Sequence, residues 1–186
     1  MELERGPTLL AIARGAIATE LGEAAPPFLA AAWLQEPGAS FVTLHLQGQL
    51  RGCIGSLQAR RPLGRDVALN ATAAAFQDDR FPPLRHRELP AVVLEVSVLS
   101  PLEPVAFKDE EELLKLLRPG VDGLVLDYPG HRGTFLPQVW AQLPEPEAFL
   151  AQLKRKAGLP AHFWNEGLRI SRYTVTEYQE TGGARG

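Results

Sequence analysis

The sequence predicts an α+β fold of mainly antiparallel sheets with flanking helices. Three observations lead to that expectation. Stretches of alternating apolar and polar residues come in pairs around glycine-bearing turns. Stretches with helical spacing stand between and around them. Strands and helices do not follow one another in the regular βα order that a parallel sheet requires.

Taken in order, Pro7 with Leu9, Leu10, Ala13, Ala16, Ile17 and Leu21 predicts an amphipathic helix ending near Gly22. Pro26-Pro27 breaks the chain, and Phe28 to Leu34 is a short apolar stretch of undetermined type. Phe41 to Leu46 and Gln49 to Gly55 alternate around Gly48, which predicts a β-hairpin. If Val42, Leu44 and Leu46 share a face with Leu50, Gly52 and Ile54, the loop must be odd, most simply Gln47-Gly48-Gln49. That register sets His45 opposite Arg51 and Thr43 opposite Cys53; a bulge would shift it. Pro62 to Gln77 reads as a helix whose Ala68, Ala71, Ala74 and Ala75 allow close packing, and Asp78 to Pro83 as a proline-stiffened loop.

Ala91 to Leu99 is strand-like. Asp109 followed by Glu112 resembles a capping box opening a helix that Gly120 would stop. Val121 to Tyr128 and Arg132 to Phe135 flank Pro129-Gly130-His131 as a second hairpin. Pro137 to Leu143 and Pro146 to Ala157 read as helices, the latter closed by Gly158. Leu168 to Glu180 reads as one long closing strand, and residues 181–186 as a flexible tail. The 186 residues suit one domain over 1–180, with room for two lobes.

Composition excludes several classes. Charged residues at 22% and apolar residues at 45% are ordinary globular usage, so disorder and collagen-like repeats are out. Arg14 and Glu20 interrupt the first apolar stretch, the start lacks a basic signal-peptide region, and no segment suits a membrane span. The single cysteine, Cys53, cannot form an intramolecular disulfide and fits a reducing compartment, so a cytoplasmic location is expected. A net charge of −3 disfavours nucleic acid as a partner. Charge is uneven, however: residues 51–87 hold seven arginines and three aspartates. They are either scattered solvated side chains or a local site for an anionic ligand or acidic partner.

Walker, dinucleotide-binding, CxxC and HExxH motifs are absent, and the four histidines lack ligand spacing. The sequence therefore assigns no metal and no cofactor. What stands out is Leu50-Arg51-Gly52-Cys53-Ile54-Gly55. Glycines inside a strand mark a bulge or a close approach by ligand or backbone, which makes Gly52 and Gly55 candidate substrate-binding positions. Arg51 and Cys53 share a face by period two, and a guanidinium beside a thiol favours thiolate. With His45 across from Arg51, that face would hold a nucleophile, a cation and a base, the set a thiol-dependent catalyst needs. A free cysteine also commonly packs as a small hydrophobe, so Cys53, Arg51 and His45 are candidates only. In Asp78-Asp79-Arg80-Phe81-Pro82-Pro83, a carboxylate–guanidinium pair would brace the loop. Otherwise the loop would present Arg80 to an anionic substrate, which makes Asp78, Arg80 and Phe81 candidate substrate-binding residues. In the Gly130 to Trp140 stretch a hairpin runs into a helix start, where free N–H groups can bind an anion or simply follow ordinary helix grammar.

Together these stretches resemble the AmmeMemoRadiSam system protein A (AMMECR domain) family. Residues 50–55 match its hexapeptide at all six positions, and residues 78–84 resemble its acid-x-Arg-Phe-Pro-Pro-Leu stretch. Leu94 to Pro101, Gly133 to Trp140 and Lys156-Ala157-Gly158-Leu159 follow in the family's order. Asp79 departs from the pattern, standing where many members have proline. The resemblance implies two lobes around antiparallel sheets with a cleft near the hexapeptide, and a genomic association with Memo-like and radical SAM proteins. It implies no known reaction. Two readings therefore stand level: an enzyme or enzyme component at the hexapeptide, and a noncatalytic binding module for Memo-like and radical SAM partners. A nucleotide or RNA binder working through the 51–87 arginines ranks below both, since only Phe76 and Phe81 there could stack on bases.

Overall fold

The computed structural model describes residues 4–181; the expected tail, apart from Thr181, lies outside the described residues. The fold is α+β, as expected, and divides into two compact units, residues 4–99 with 176–181 and residues 100–175.

The first unit is a five-stranded antiparallel sheet under two helices. α1 (Arg5–Glu20) carries Leu9, Ala13 and Ile17 into the core, and the chain leaves it through Gly22 at a φ of 77°. β1 (Pro37–Leu46), β2 (Gln49–Gly55), β4 (Val92–Leu99) and β9 (Val175–Gln179) run in the order β2-β1-β4-β9, with β3 (Arg61–Pro62) paired to the start of β1. α2 (Leu63–Phe76) lays Val67, Ala71 and Ala74 over Val42 and Leu44 of β1. The alternation of β1 and β4 decides their faces: Val42, Leu44, Leu94 and Val96 are buried on the helix side. Thr43, His45, Val93 and Glu95 point the other way. Residues 28–31 form no regular element, and Ala32–Gln35 is a single 3₁₀ turn.

A buried polar cluster ties α2 to β1. Asp66 accepts from Ser40 Oγ at 2.6 Å, Arg61 Nε at 2.7 Å and Asn70 Nδ2 at 3.0 Å, so its carboxylate is fully partnered. Nothing in the sequence pattern singled this cluster out, although Asp66 and Asn70 stand one helical turn apart.

The second unit is a four-stranded antiparallel sheet in the order β5-β8-β6-β7. Its strands are β5 (Glu103–Pro104), β6 (Gly123–Tyr128), β7 (His131–Phe135) and β8 (Arg169–Tyr173). The turn between β6 and β7 is Pro129-Gly130, with Gly130 at a φ of 79°, which is the proline-then-left-handed order of a type II turn. α3 (Glu110–Leu116) begins with Asp109 accepting the Glu112 N–H at 2.8 Å, as expected; Glu112 returns to the Lys108 N–H rather than to the cap. α4 (Pro146–Lys156) buries Phe149, Leu150 and Leu153, and Trp140 stacks on Phe149 at 3.8 Å.

Three expectations are corrected. α3 stops before Gly120 because Pro119 disfavours helix at Arg118, and Leu117 has already turned extended. Residues 137–141 form a 3₁₀ segment rather than an α-helix reaching Leu143. The closing strand is two strands in two sheets, divided at Thr174. The Thr174 N–H goes to Ser100 Oγ at 2.8 Å and its carbonyl accepts from the Ser100 N–H, so neither ladder continues through it.

Candidate functional site

The hexapeptide lies on β2, the edge strand of the first sheet. Thr43 stands opposite Cys53, as expected. Beyond Leu44–Gly52, however, the register slips: His45 pairs with Leu50 and Leu46 with Gln49, leaving Arg51 as the extra residue of a bulge. The connecting turn is therefore the two residues Gln47-Gly48, at φ 53° and 75°, the two left-handed positions that a tight hairpin favours. His45 is not opposite Arg51. That expectation failed because alternation fixes faces along a strand but cannot count a bulge.

Arg51 is buried, and its Nε and Nη2 donate to Glu88 at 3.1 and 3.3 Å. Those bonds hold the Glu88 carboxyl below its ordinary range. Arg51 and Glu88 thus pin the bulge to the 3₁₀ turn over His86–Ala91.

The Asp78–Arg80 pair braces the loop and does something further. Arg80 Nε and Nη2 reach the Asp78 oxygens at 2.9 and 2.7 Å. The other face of the clamp meets the free edge of β2: Asp78 Oδ2 accepts the Cys53 N–H at 3.0 Å, and Arg80 Nη2 donates to the Cys53 carbonyl at 3.4 Å. A carboxylate and a guanidinium here take the place of a neighbouring strand. Arg80's bonds hold the Asp78 carboxyl far below the usual carboxylate range. Asp78 is buried, whereas the Arg80 side chain is 56% exposed and lies beside Phe81, 5.5 Å from its ring.

Both hexapeptide glycines meet protein. A Cβ at Gly52 would collide with the Ala74 carbonyl oxygen of α2, and one at Gly55 with the Phe41 ring. The close approach expected at these positions is therefore that of the chain itself.

On the face away from the helices, Cys53, Thr43 and Glu95 form one cross-strand row, since Thr43 pairs with both. The Thr43 hydroxyl donates to Cys53 Sγ at 3.2 Å, and Cys53 is half-buried. His45 lies two residues along β1 on the same face, opposite Val93. Burial and the nearby Glu177 carboxylate push the Glu95 carboxyl up, and His45 opposes them. Glu95 was not named from sequence; only the register across three strands brings it to Cys53 through Thr43.

Of the arginines between 51 and 87, Arg51, Arg61 and Arg80 are paired with Glu88, Asp66 and Asp78. No three histidine, cysteine or carboxylate groups gather as a metal site among the described residues. No helix among them is long and apolar enough to cross a membrane.

The chain is thus an α+β protein whose edge-strand hexapeptide is braced by a following acid–arginine loop. The AMMECR1 family model matches residues 10–178, and the chain belongs to that family. It is 37% identical to a protein of Thermofilum pendens, covering 97% of this chain and 92% of that one. It is 38% identical to a protein of Methanothermobacter thermautotrophicus, with 96% of each chain covered. Among solved structures it is similar to the uncharacterized protein PH0010 from Pyrococcus horikoshii. That likeness has a TM-score of 0.80 at 34% identity, over 95% of this chain and 92% of that one.

Proposed function

We propose that the chain is an enzyme, or a component of one, that works through the Cys53 thiol. One observation carries the reading: Cys53 presents a half-buried side chain in a row with Thr43 and Glu95 while side chains hold both of its backbone polar groups. A thiol held this way is positioned in advance, which is what a nucleophile needs. The Thr43 hydroxyl stabilises negative charge developing on sulfur. His45 is the candidate base two residues along the strand, and Glu95, whose carboxyl burial pushes up, lies on the same face as a second proton-transfer group. Arg51 bonds Glu88 through Nε and Nη2, with Nη1 buried and unpartnered among the described residues, and acts as a positioning residue. Arg80, half exposed beside the Cys53 carbonyl, is the cation available to an anionic substrate.

The test is labelling of Cys53 by iodoacetamide and by iodoacetate, followed by intact mass across a pH series. Thr43→Val is expected to slow both reagents, and Arg80→Gln to remove any preference for the anionic one. Rates unchanged in Thr43→Val would contradict the proposal.

A second reading is supported by a separate observation. A groove of about 720 Å³ runs between α1 and α2, lined by Ile12, Ala16, Leu34, Ala68 and Leu69, and Phe28 and Leu29 lie exposed nearby. It suits a binding module for a Memo-like or radical SAM protein, the partners that the family resemblance implies. Loss of binding to either purified partner in Leu69→Asp, with Cys53 labelling intact, favours this reading.

A further inference from the structure

The second unit holds a cavity of about 580 Å³, within the range of small-molecule sites. It opens where β5 parts from β8. The ladder sets Glu103 against Arg172 and Pro104 against Ser171, adds the Val105 N–H to Ile170 carbonyl bond at 2.9 Å, and ends. Beyond that point residues 105–108 form one wall, and Trp164 with residues 168–170 forms the other.

Trp164 is a braced platform. Lys154 lies 5.7 Å from its ring centre, and Lys154 is fully buried with its ammonium on Glu110 at 2.8 Å. The Phe107 ring meets Trp164 at 5.6 Å, tilted by 57°. An indole held by a cation and by a second ring, and still lining a cavity, is suited to stack a flat ligand.

The charges around the cavity supply the other half of the recognition. Lys108 and Arg169 line it, are exposed, and enter no ion pair among the described residues. Asp127 faces Arg132 at 3.6 Å, so its charge is offset, and Glu166 is the other acid that lines the cavity; Glu112 accepts the Lys108 N–H at 2.8 Å close by. The two exposed cations match Asp127 and Glu166 in number, but Asp127 is shared with Arg132, so Lys108 and Arg169 can meet an anion while the two carboxylates serve as acceptors for hydroxyl or N–H donors.

We propose that this cavity binds a nucleoside monophosphate, its base on Trp164 and its phosphate between Lys108 and Arg169. This site is separate from the 51–87 arginines and independent of the Cys53 reading.

The experiment is calorimetric titration of AMP into the full chain, with adenosine and inorganic phosphate titrated separately. Saturable binding is expected, weakened at least about tenfold in Arg169→Glu, which loses one charge-assisted contact and sets a carboxylate against the phosphate. It is expected to be lost in Trp164→Leu and unchanged in Cys53→Ser. Because Trp164 is half-buried, circular dichroism checks that its variant folds; Arg169 is exposed and keeps the test open if it does not. No binding at about 1 mM AMP overturns the proposal, as does binding unaffected by Arg169→Glu. Adenosine binding as tightly as AMP removes the anionic half, and phosphate binding as tightly as AMP removes the aromatic half; either also overturns it.

Discussion

Replacing Asp78 by alanine tests the clamp that holds Cys53. The change removes the acceptor of the Cys53 N–H and releases Arg80 from its two bonds. The ion pair itself contributes little, because the Arg80 side chain is half exposed and solvent already screens it, although Asp78 is buried. The larger cost is an edge-strand N–H left without a partner, about 1–3 kcal/mol. Against a typical domain stability of about 5–15 kcal/mol, that is a measurable fraction. Asp79→Ala is the control: Asp79 is exposed, and its loss is expected to stay within about 0.5 kcal/mol. Urea unfolding at constant slope gives the difference, and hydrogen exchange at the Cys53 amide localises it. The folded Asp78 carboxyl is held below its unfolded value, so its contribution is present above about pH 4 and lost as pH falls below. The Asp78→Ala penalty should shrink accordingly in acid. Equal costs for Asp78→Ala and Asp79→Ala, or an unchanged Cys53 exchange rate, would refute the reasoning.

Gly52→Ala is expected to cost more than Gly55→Ala in thermal or urea unfolding, at about 1–3 kcal/mol or above. Its Cβ meets the main chain of α2, whereas the Phe41 ring beside Gly55 can turn aside. Glu95→Gln is expected to stabilise the protein at neutral pH. The folded Glu95 carboxyl is raised, so ionisation weakens the fold as pH rises, and the gain should vanish below about pH 4, where the wild type is protonated too. A pH series of unfolding midpoints for both proteins checks this. Arg51→Met is expected to destabilise the chain by leaving Glu88 without its partner; a double-mutant cycle with Glu88→Gln should recover part of the loss.

What the sequence made legible was local. The β1 alternation, the alanine face of α2, the Asp109 cap and the hairpin around Pro129-Gly130 each depend on residues within a few positions of one another, and each formed. The missed features were decided elsewhere in the chain. The bulge at Arg51 is held by Glu88, 37 residues on, and the break at Thr174 by Ser100, 74 residues back. The same holds for the candidate site. Cys53 was visible as the lone thiol of an unusual hexapeptide. Glu95 was not, because it joins Cys53 only through Thr43 on the strand between. His45 kept its face but lost its expected partner, since one extra residue shifts every pair beyond it.

The central claim is that Cys53 is a positioned, reachable thiol rather than core packing. The most direct test is its alkylation rate by iodoacetamide at neutral pH in the native chain, set against the same chain in urea, with Cys53→Ser as blank. Native labelling at least as fast as in the unfolded chain is the expected result. Labelling that appears only at the rate of unfolding would contradict the claim and leave the binding-module reading in its place.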